Sequence, residues 1–285
     1  MMKKKNETLG GKHSGTSRNR LFIDTPLVSI ITPVLNGAKH IEETILSVIG
    51  QSYTNIEYIV IDGGSTDGTL DLINKYQDKI DCWISEKDKG IADAFNKGVS
   101  RANGEWVGII NADDWYELDA IENLVKMSSG DIVYGDMRLW RGCVSLVCIS
   151  NHVYLNKVMS LNHPSIFVRN KVYKEFGSYN LKYKYAMDYE FLLRAMTKGV
   201  VFQNTNIVFS NFRTGGASDE NEISAINEVK KIKVDYKIKS KIFIYIDYLI
   251  SISKAIISRL FRKMGLAWLV SWYSNYFSVF KRKDV

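Results

Sequence analysis

Short apolar runs alternate with stretches in which apolar residues recur every third or fourth position along most of the chain. That alternation is the signature of strands separated by amphipathic helices. The β-branched run 27–34, interrupted near its end by Pro33, predicts a central buried strand, and Asn36-Gly37 turns the chain after it. Ile41, Ile45, Val48 and Ile49 then predict a helix within 39–52, with Glu42 and Glu43 in the first turn, where the helix dipole favours acids. Residues 56–62 predict a second strand, followed by a helix over 70–76 that Thr66 or Asp67 can cap. A short third strand follows at 81–85, then a helix over 91–102 with Ala94, Phe95 and Val99 inward, then a fourth strand at 106–110.

Beyond this strand the pattern predicts a helix over 118–127, a strand over 131–136 and hairpin strands within 137–158. A loop and strand follow at 162–168. Another helix opens at Asp188-Tyr189-Glu190, with Phe191, Leu192, Ala195 and Met196 on its core side. Strands and helices of these lengths imply β-α-β units with right-handed crossovers in a mostly parallel sheet. Ligands in such sheets bind at the carboxyl ends of the strands, and a helix N-terminus there can hold an anion. Thr32, Asp62, Gly90 and Asp113-Asp114 are therefore expected to converge on one crevice.

Candidate chemistry concentrates at the end of the fourth strand. Adjacent carboxylates repel, and a divalent cation commonly keeps them together; Mg²⁺ takes one or two carboxylates plus phosphate oxygens. The alternative for Asp113-Asp114 is a solvated acidic turn. Asp62 either accepts hydrogen bonds from a base or ribose, or caps its own turn. The loop 63–69 after it is neither a GxxxxGK phosphate loop nor a GxGxxG fingerprint. His163 either touches a diphosphate or acceptor, or is structural. Arg213 beside Gly215-Gly216 forms either a mobile loop over phosphates, whose geometry arginine matches, or a plain linker.

Composition narrows the classes. An apolar share of 46% supports a substantial core. Three cysteines without metal-ligand spacing indicate neither a disulfide framework nor a zinc site and fit a reducing, cytoplasmic location. Residues 1–26 are polar and basic, lack the apolar stretch of a signal peptide and are expected to be a disordered tail. The net charge is +7, and residues 220–285 carry all of it, with 13 Lys/Arg against 6 Asp/Glu. Residues 1–219 are neutral, so nucleic acid is not an expected partner. The segment 219–285 reads as a basic, amphipathic helical tail. Its uncharged run 264–280 holds aromatics and polar residues and ends in Lys281-Arg282-Lys283, a pattern of interfacial membrane binding rather than spanning. A helix packed back on the main domain is the alternative.

Four stretches carry a resemblance: 29–36 (SIITPVLN), 62–69 (DGGSTDGT), Asp88-Lys89-Gly90 through Asn96-Lys97-Gly98, and Asn111-Ala112-Asp113-Asp114. Together they resemble a family 2 glycosyltransferase of the GT-A fold, a Rossmann-like α/β nucleotide-diphospho-sugar transferase, over 27–218. The resemblance implies that Thr32, Pro33, Val34, Asn36, Asp62, Gly90, Asn96, Asp113 and Arg213 bind a nucleotide-sugar donor. Thr32, Val34 and Asp62 would line the nucleobase pocket, Asp113 would meet the ribose, and Asp114 would hold Mg²⁺ or Mn²⁺. Asp188, ahead of Glu190, would be the general base of an inverting transfer. Many relatives have a second acid where Gly63 stands, which leaves the nucleobase open. The tail and the resemblance together imply a saccharide or lipid-linked saccharide acceptor in bacterial surface-polysaccharide assembly, at the cytoplasmic face of a membrane. A nucleotidyltransferase would need an early basic glycine-rich loop, for which Asn36-Gly37-Ala38-Lys39 is a poor substitute. A catalytically inactive membrane scaffold would not need Asp113, Asp114 and Asp188.

Overall fold

A computed structural model describes residues 8–12, 25–214, 221–266 and 282–284. The elements run β1 (Thr8–Gly10), β2 (Val28–Val34), α1 (Ile41–Ile49), β3 (Ile56–Asp62), α2 (Thr69–Lys75), β4 (Cys82–Ser85), α3 (Ile91–Val99), β5 (Trp106–Ile109), β6 (Trp115–Tyr116) and α4 (Ala120–Met127). There follow β7 (Ile132–Arg141), β8 (Val144–Cys148), β9 (Ile166–Arg169), α5 (Asn170–Phe176), α6 (Met187–Thr197), β10 (Phe202–Arg213), α7 (Glu222–Asp235), α8 (Lys241–Lys263) and β11 (Arg282–Asp284).

One mixed sheet orders its strands β1-β4-β3-β2-β5-β9-β7-β10-β6, with β8 and β11 off that path. The predicted β-α-β half is parallel: β2 pairs with β3 and β5, and β3 with β4. Register sets Val34 beside Asp62 and Asp62 beside Ser85, so the carboxyl ends of three strands meet along one edge. Past β5 the sheet turns mixed, because β9 lies antiparallel to both β5 and β7.

Side-chain parity builds two cores on the two faces of this sheet. Val28, Ile30, Tyr58, Val60 and Trp106 join α1 and α4 on one face. Ile31, Ile59, Ile61, Val107 and Ile109 join α3, α5 and α6 on the other. Glu57 ties the two middle strands to the turn before β5, accepting from Ser29 Oγ at 2.5 Å, Asn103 N at 2.8 Å and Asn103 Nδ2 at 2.6 Å. Glu57→Ala leaves the buried Ser29 Oγ without this acceptor and gives the exposed Asn103 donors back to water, so a loss of about 1–2 kcal/mol is expected by denaturant titration. A change under about 0.5 kcal/mol would mean that water replaces the carboxylate without cost.

Four expectations change. The tail 1–26 is not wholly irregular: residues 8–10 add an antiparallel edge strand to β4, while 1–7 and 13–24 lie outside the described residues. Neither β10 nor α5 is among the expected elements; β10 opens at Phe202, runs through the polar Gln203-Asn204-Thr205-Asn206, where Asn206 takes φ 55°, and shifts register between Asn204 and Ser210. The tail does not detach at 219. Ile232 of α7 is fully buried in the core that holds α6, with Val229 and Tyr236 packed against it. Of the run 264–280, residues 267–280 lie outside the described residues. Among the described residues no helix is long and apolar enough to cross a membrane.

Candidate active site

The loops after β2 and β3 are latched to each other. Asn36, in the left-handed region at φ 52°, donates its N–H to Ser65 Oγ at 2.7 Å and accepts from Thr66 N at 2.9 Å. Gly37 N donates to Thr69 Oγ1 at 2.9 Å, and Ala38 N to Asp67 Oδ2 at 3.0 Å. Thr32, Pro33, Val34 and Asp62 are all buried. Thr32 Oγ1 pairs with Tyr58 OH at 3.1 Å. Asp62 accepts from Gly64 N at 3.1 Å and Ser85 Oγ at 2.6 Å. These side chains shape the loop edge and spend their hydrogen bonds within the fold. A residue that the sequence reading left without a role stands beside them. A Cβ on Gly63 would collide with the Asp88 carboxylate, so Asp88 reaches from the next loop toward the place where many relatives have a second acid. Asp88 also accepts from Gly90 N at 2.9 Å, and a Cβ at Gly90 would meet nothing within 4 Å.

At the end of β5 the two acids part. Asp114 has no exposed surface; its Oδ1 accepts from Arg213 N at 3.2 Å, its carbonyl from Thr44 Oγ1 at 2.7 Å, and its Oδ2 is buried without a hydrogen-bond partner. Burial, then the neighbouring Asp113 carboxylate, pushes the Asp114 carboxyl well above the usual carboxylate range. Asp113 instead lines an open cavity of about 580 Å³ with Lys39, His40, Trp140, Gly142, Arg213 and Thr214. Arg213 lies 4.9 Å over the Trp115 ring and pairs with Glu43 at 2.5 Å. Burial, then the charges of Arg213 and Lys39, holds His40 below its ordinary value. The cavity thus offers two cations, Lys39 and Arg213, and one open carboxylate. Of the two acids expected at the metal and the ribose, Asp113 has surface in the cavity and Asp114 is buried. Lys39 and His40 stood next to the Asn36-Gly37 turn as a readable signal; Trp140, Gly142 and Thr214 carried none.

Asp188 opens α6 in a separate, smaller cavity of about 10 Å³, shared with Ile109, His163, Tyr173, Tyr179 and Phe191. Its Oδ1 accepts from Tyr189 N at 2.7 Å, and burial pushes its carboxyl up to about 6. Glu190 is committed elsewhere. It is buried, pairs with Arg194 at 3.0 Å and accepts from Tyr236 OH at 2.5 Å. His163 stacks on Phe95 at 5.1 Å, and burial holds it down at about 4, so it is neutral at pH 7. Asn96 donates to Tyr179 O and accepts from Tyr179 N, both at 2.8 Å, tying α3 to the approach to α6. The smaller cavity is lined by Ile109 at the end of β5, and the larger by Asp113, four residues on.

Residues 29–143 match the family described as Glycosyl transferase family 2. The PGL/p-HBAD biosynthesis glycosyltransferase of Mycobacterium tuberculosis is 30% identical over 210 residues, 68% of this chain and 80% of that protein. The chain belongs to glycosyl transferase family 2. The Escherichia coli UDP-Glc:alpha-D-GlcNAc-diphosphoundecaprenol beta-1,3-glucosyltransferase WfaP is 30% identical over 67% of this chain and 79% of its own length. The fold recurs in S. aureus TarS with UDP, at TM-score 0.57 and 18% identity over 72% of this chain and 65% of that one. It recurs also in the Pyrobaculum calidifontis mannosyltransferase PcManGT with GDP-Man and Mn²⁺, at TM-score 0.60 and 16% identity over 90% and 82% of the two chains. As in other family 2 enzymes of polysaccharide biosynthesis, the reaction is glycosyl transfer.

Proposed function

We propose that this chain is an inverting, divalent-cation-dependent glycosyltransferase that moves a sugar from a nucleotide-sugar to a lipid-linked saccharide in cell-surface polysaccharide assembly. The observation that carries the reading is the cavity beyond β5, where Lys39 and Arg213 flank the open Asp113 carboxylate. A diphosphate needs fixed cations, and arginine matches its oxygens in geometry. Among the described residues no cluster of three His, Cys, Asp or Glu forms a metal site by itself. A cation held by one or two carboxylates and completed by phosphate oxygens needs no such cluster. Asp113 fits the first of those ligands, and the partnerless Asp114 Oδ2 behind it fits a second oxygen once the loop adjusts. A cation bound there would stabilise the charge that develops on the diphosphate leaving group.

The chain's own residues do the rest. Lys39 and Arg213 hold the diphosphate. Asp88, beside Gly63, offers an acceptor to the nucleobase. Asp188 takes the proton of the acceptor hydroxyl as that oxygen attacks the anomeric carbon and the bond to the diphosphate breaks. A single displacement of this kind inverts the anomeric centre, and the proton ends on the Asp188 carboxyl.

A thermal-shift panel of UDP-glucose, UDP-N-acetylglucosamine, GDP-mannose and a dTDP-sugar, each with and without Mn²⁺, tests the donor half of this reading. Binding raises the melting temperature by mass action, so one nucleotide class is expected to raise it, and only with the cation. Equal shifts without Mn²⁺ would remove the cation from the proposal.

Docking at the cytoplasmic membrane face belongs to the same reading. Ile242, Ile246, Leu249, Ile256 and Leu260 recur along one side of α8 and are 45–73% exposed. The helix carries five Lys/Arg against one Asp. An apolar stripe with basic flanks suits an anionic bilayer surface. Ile246→Asp with Leu249→Asp is expected to weaken sedimentation with phosphatidylglycerol vesicles by about tenfold or more, from the apolar burial lost. Unchanged sedimentation would take α8 out of membrane docking.

A further inference from the structure

Helix α6 opens without a cap of its own, because Ala186 at its N-cap has no side chain that can accept a hydrogen bond. The acceptor comes from 42 residues along the chain, on α7. Glu228 Oε1 accepts from Lys184 N at 2.9 Å, and Oε2 accepts from Tyr185 N at 2.8 Å and Ala186 N at 2.9 Å. Three backbone donors on one carboxylate form a charge-assisted clamp, and the negative charge sits at the positive end of the α6 dipole. Asp188 stands two residues past the last of those donors.

The grip extends to both sides. Upstream, Asp235 of α7 accepts from Tyr183 OH at 2.8 Å and Lys182 Nζ at 3.0 Å. Downstream, Tyr236 OH donates to Glu190. Helix α7 is itself held fast by Ile232, fully buried, and by Lys233, whose Nζ donates to Lys157 O at 2.6 Å. The turn that delivers Asp188 therefore has its backbone fixed by a helix outside the β-α-β framework.

We propose that Glu228 is a positioning residue for Asp188: by clamping the N–H groups of residues 184–186 it holds the base carboxylate toward the acceptor hydroxyl. This rests on the reading of Asp188 as the base. A small displacement of a catalytic group can cost a factor of a hundred in turnover, so the clamp acts on kcat rather than on donor binding. The titratable groups that face Asp188 are His163, Tyr173 and Tyr179 across the cavity and Glu228 from α7, with Glu190 and Arg194 on its own helix. Glu228 is the negative charge that raises the Asp188 carboxyl further after burial has done so.

The test compares Glu228→Ala, Glu228→Gln and Asp188→Asn in the full chain. Turnover is measured with whichever of UDP-glucose, UDP-N-acetylglucosamine and GDP-mannose gives the thermal shift, onto a synthetic N-acetylglucosaminyl-diphosphoryl lipid. Amide exchange of residues 184–186 is followed by mass spectrometry without substrate. Glu228→Ala is expected to lower kcat by on the order of 10²-fold with donor KM within about twofold, and to speed exchange at 184–186. Glu228→Gln keeps the shape and two of the acceptances, so it is expected to recover about tenfold of that loss, with the acidic limb of kcat at lower pH than in the parent. It carries the test should the alanine variant fail to fold.

Parental exchange at 184–186 in the alanine variant overturns the clamp, and so does parental kcat. A rise in donor KM matching the fall in kcat, with no recovery in Glu228→Gln, overturns a positioning role in favour of a general structural one. Asp188→Asn separates the two readings. If it is inactive while Glu228→Ala has parental turnover, only the Glu228 assignment falls; if it is active, the base assignment falls and the positioning role with it.

Discussion

Asp188→Asn is expected to lower kcat by about 10³-fold while the shift in melting temperature on donor binding persists, because a general base contributes on that order and touches the acceptor rather than the nucleotide. The parent enzyme is expected to lose kcat tenfold per pH unit below about 6, where the Asp188 carboxyl takes up its proton. Stability runs the other way. Burial raises the folded carboxyl from 3.8 to about 6, so the folded state binds the proton more tightly than the unfolded chain. The folded state is therefore favoured most at low pH, and that advantage is lost as pH rises between those two values. Two pH units correspond to nearly 3 kcal/mol, which the partial exposure of Asp188 reduces to about 1–2 kcal/mol. Asparagine keeps the acceptor for Tyr189 N and carries no charge. The variant is thus expected to melt a few degrees higher than the parent at pH 8, with the difference closing toward pH 4. Parental turnover in Asp188→Asn would show that another group removes the proton.

The second large effect separates the adjacent acids. Asp113→Asn removes the only one of the two carboxylates with surface in the cavity. Mn²⁺-dependent donor binding, measured by titration calorimetry, is expected to weaken by on the order of 10²-fold or more, since a cation beside a diphosphate contributes several kcal/mol. The ligand-free melting temperature should stay within about 2 °C, as for other accessible side chains. Asp114→Asn is expected to differ in both respects. Its amide oxygen can still accept from Arg213 N, and it replaces a buried carboxyl whose charged form burial already disfavours, so the fold is not weakened and donor affinity falls less. The reverse ranking would return the cation to Asp114.

Much of this arrangement was legible before any coordinates. The strands 28–34, 56–62 and 106–109 are rich in β-branched and aromatic residues, and their burial on both faces is what such runs encode. The helices between them carry their apolar positions at helical spacing. What was hidden depended on polar residues. β10 lies beside β7, yet four polar residues ending in the positive-φ Asn206 separate its Phe202 from Ile207-Val208-Phe209, so no continuous apolar period announces it. The division between Asp113 and Asp114 follows from which way each side chain leaves a tight turn, set by Thr44 and Arg213 at 70 and 99 residues' separation. Asn96 belongs to a motif of the donor site but is spent on Tyr179, 83 residues away. Glu228 lay in a lysine-rich segment whose charge pattern pointed outward to lipid, and nothing local to it marked an inward carboxylate.

That α7 carries the cap of α6 bears on how the polypeptide is made. Synthesis releases the amino-terminal elements first, and domains begin to fold as they emerge. Strands β2 to β5 can assemble well before residues 222–236 emerge, so the turn ahead of Asp188 acquires its clamp late. The start of α6 is therefore among the parts of the fold that wait longest for a partner, since the carboxylate that caps it is made 42 residues later.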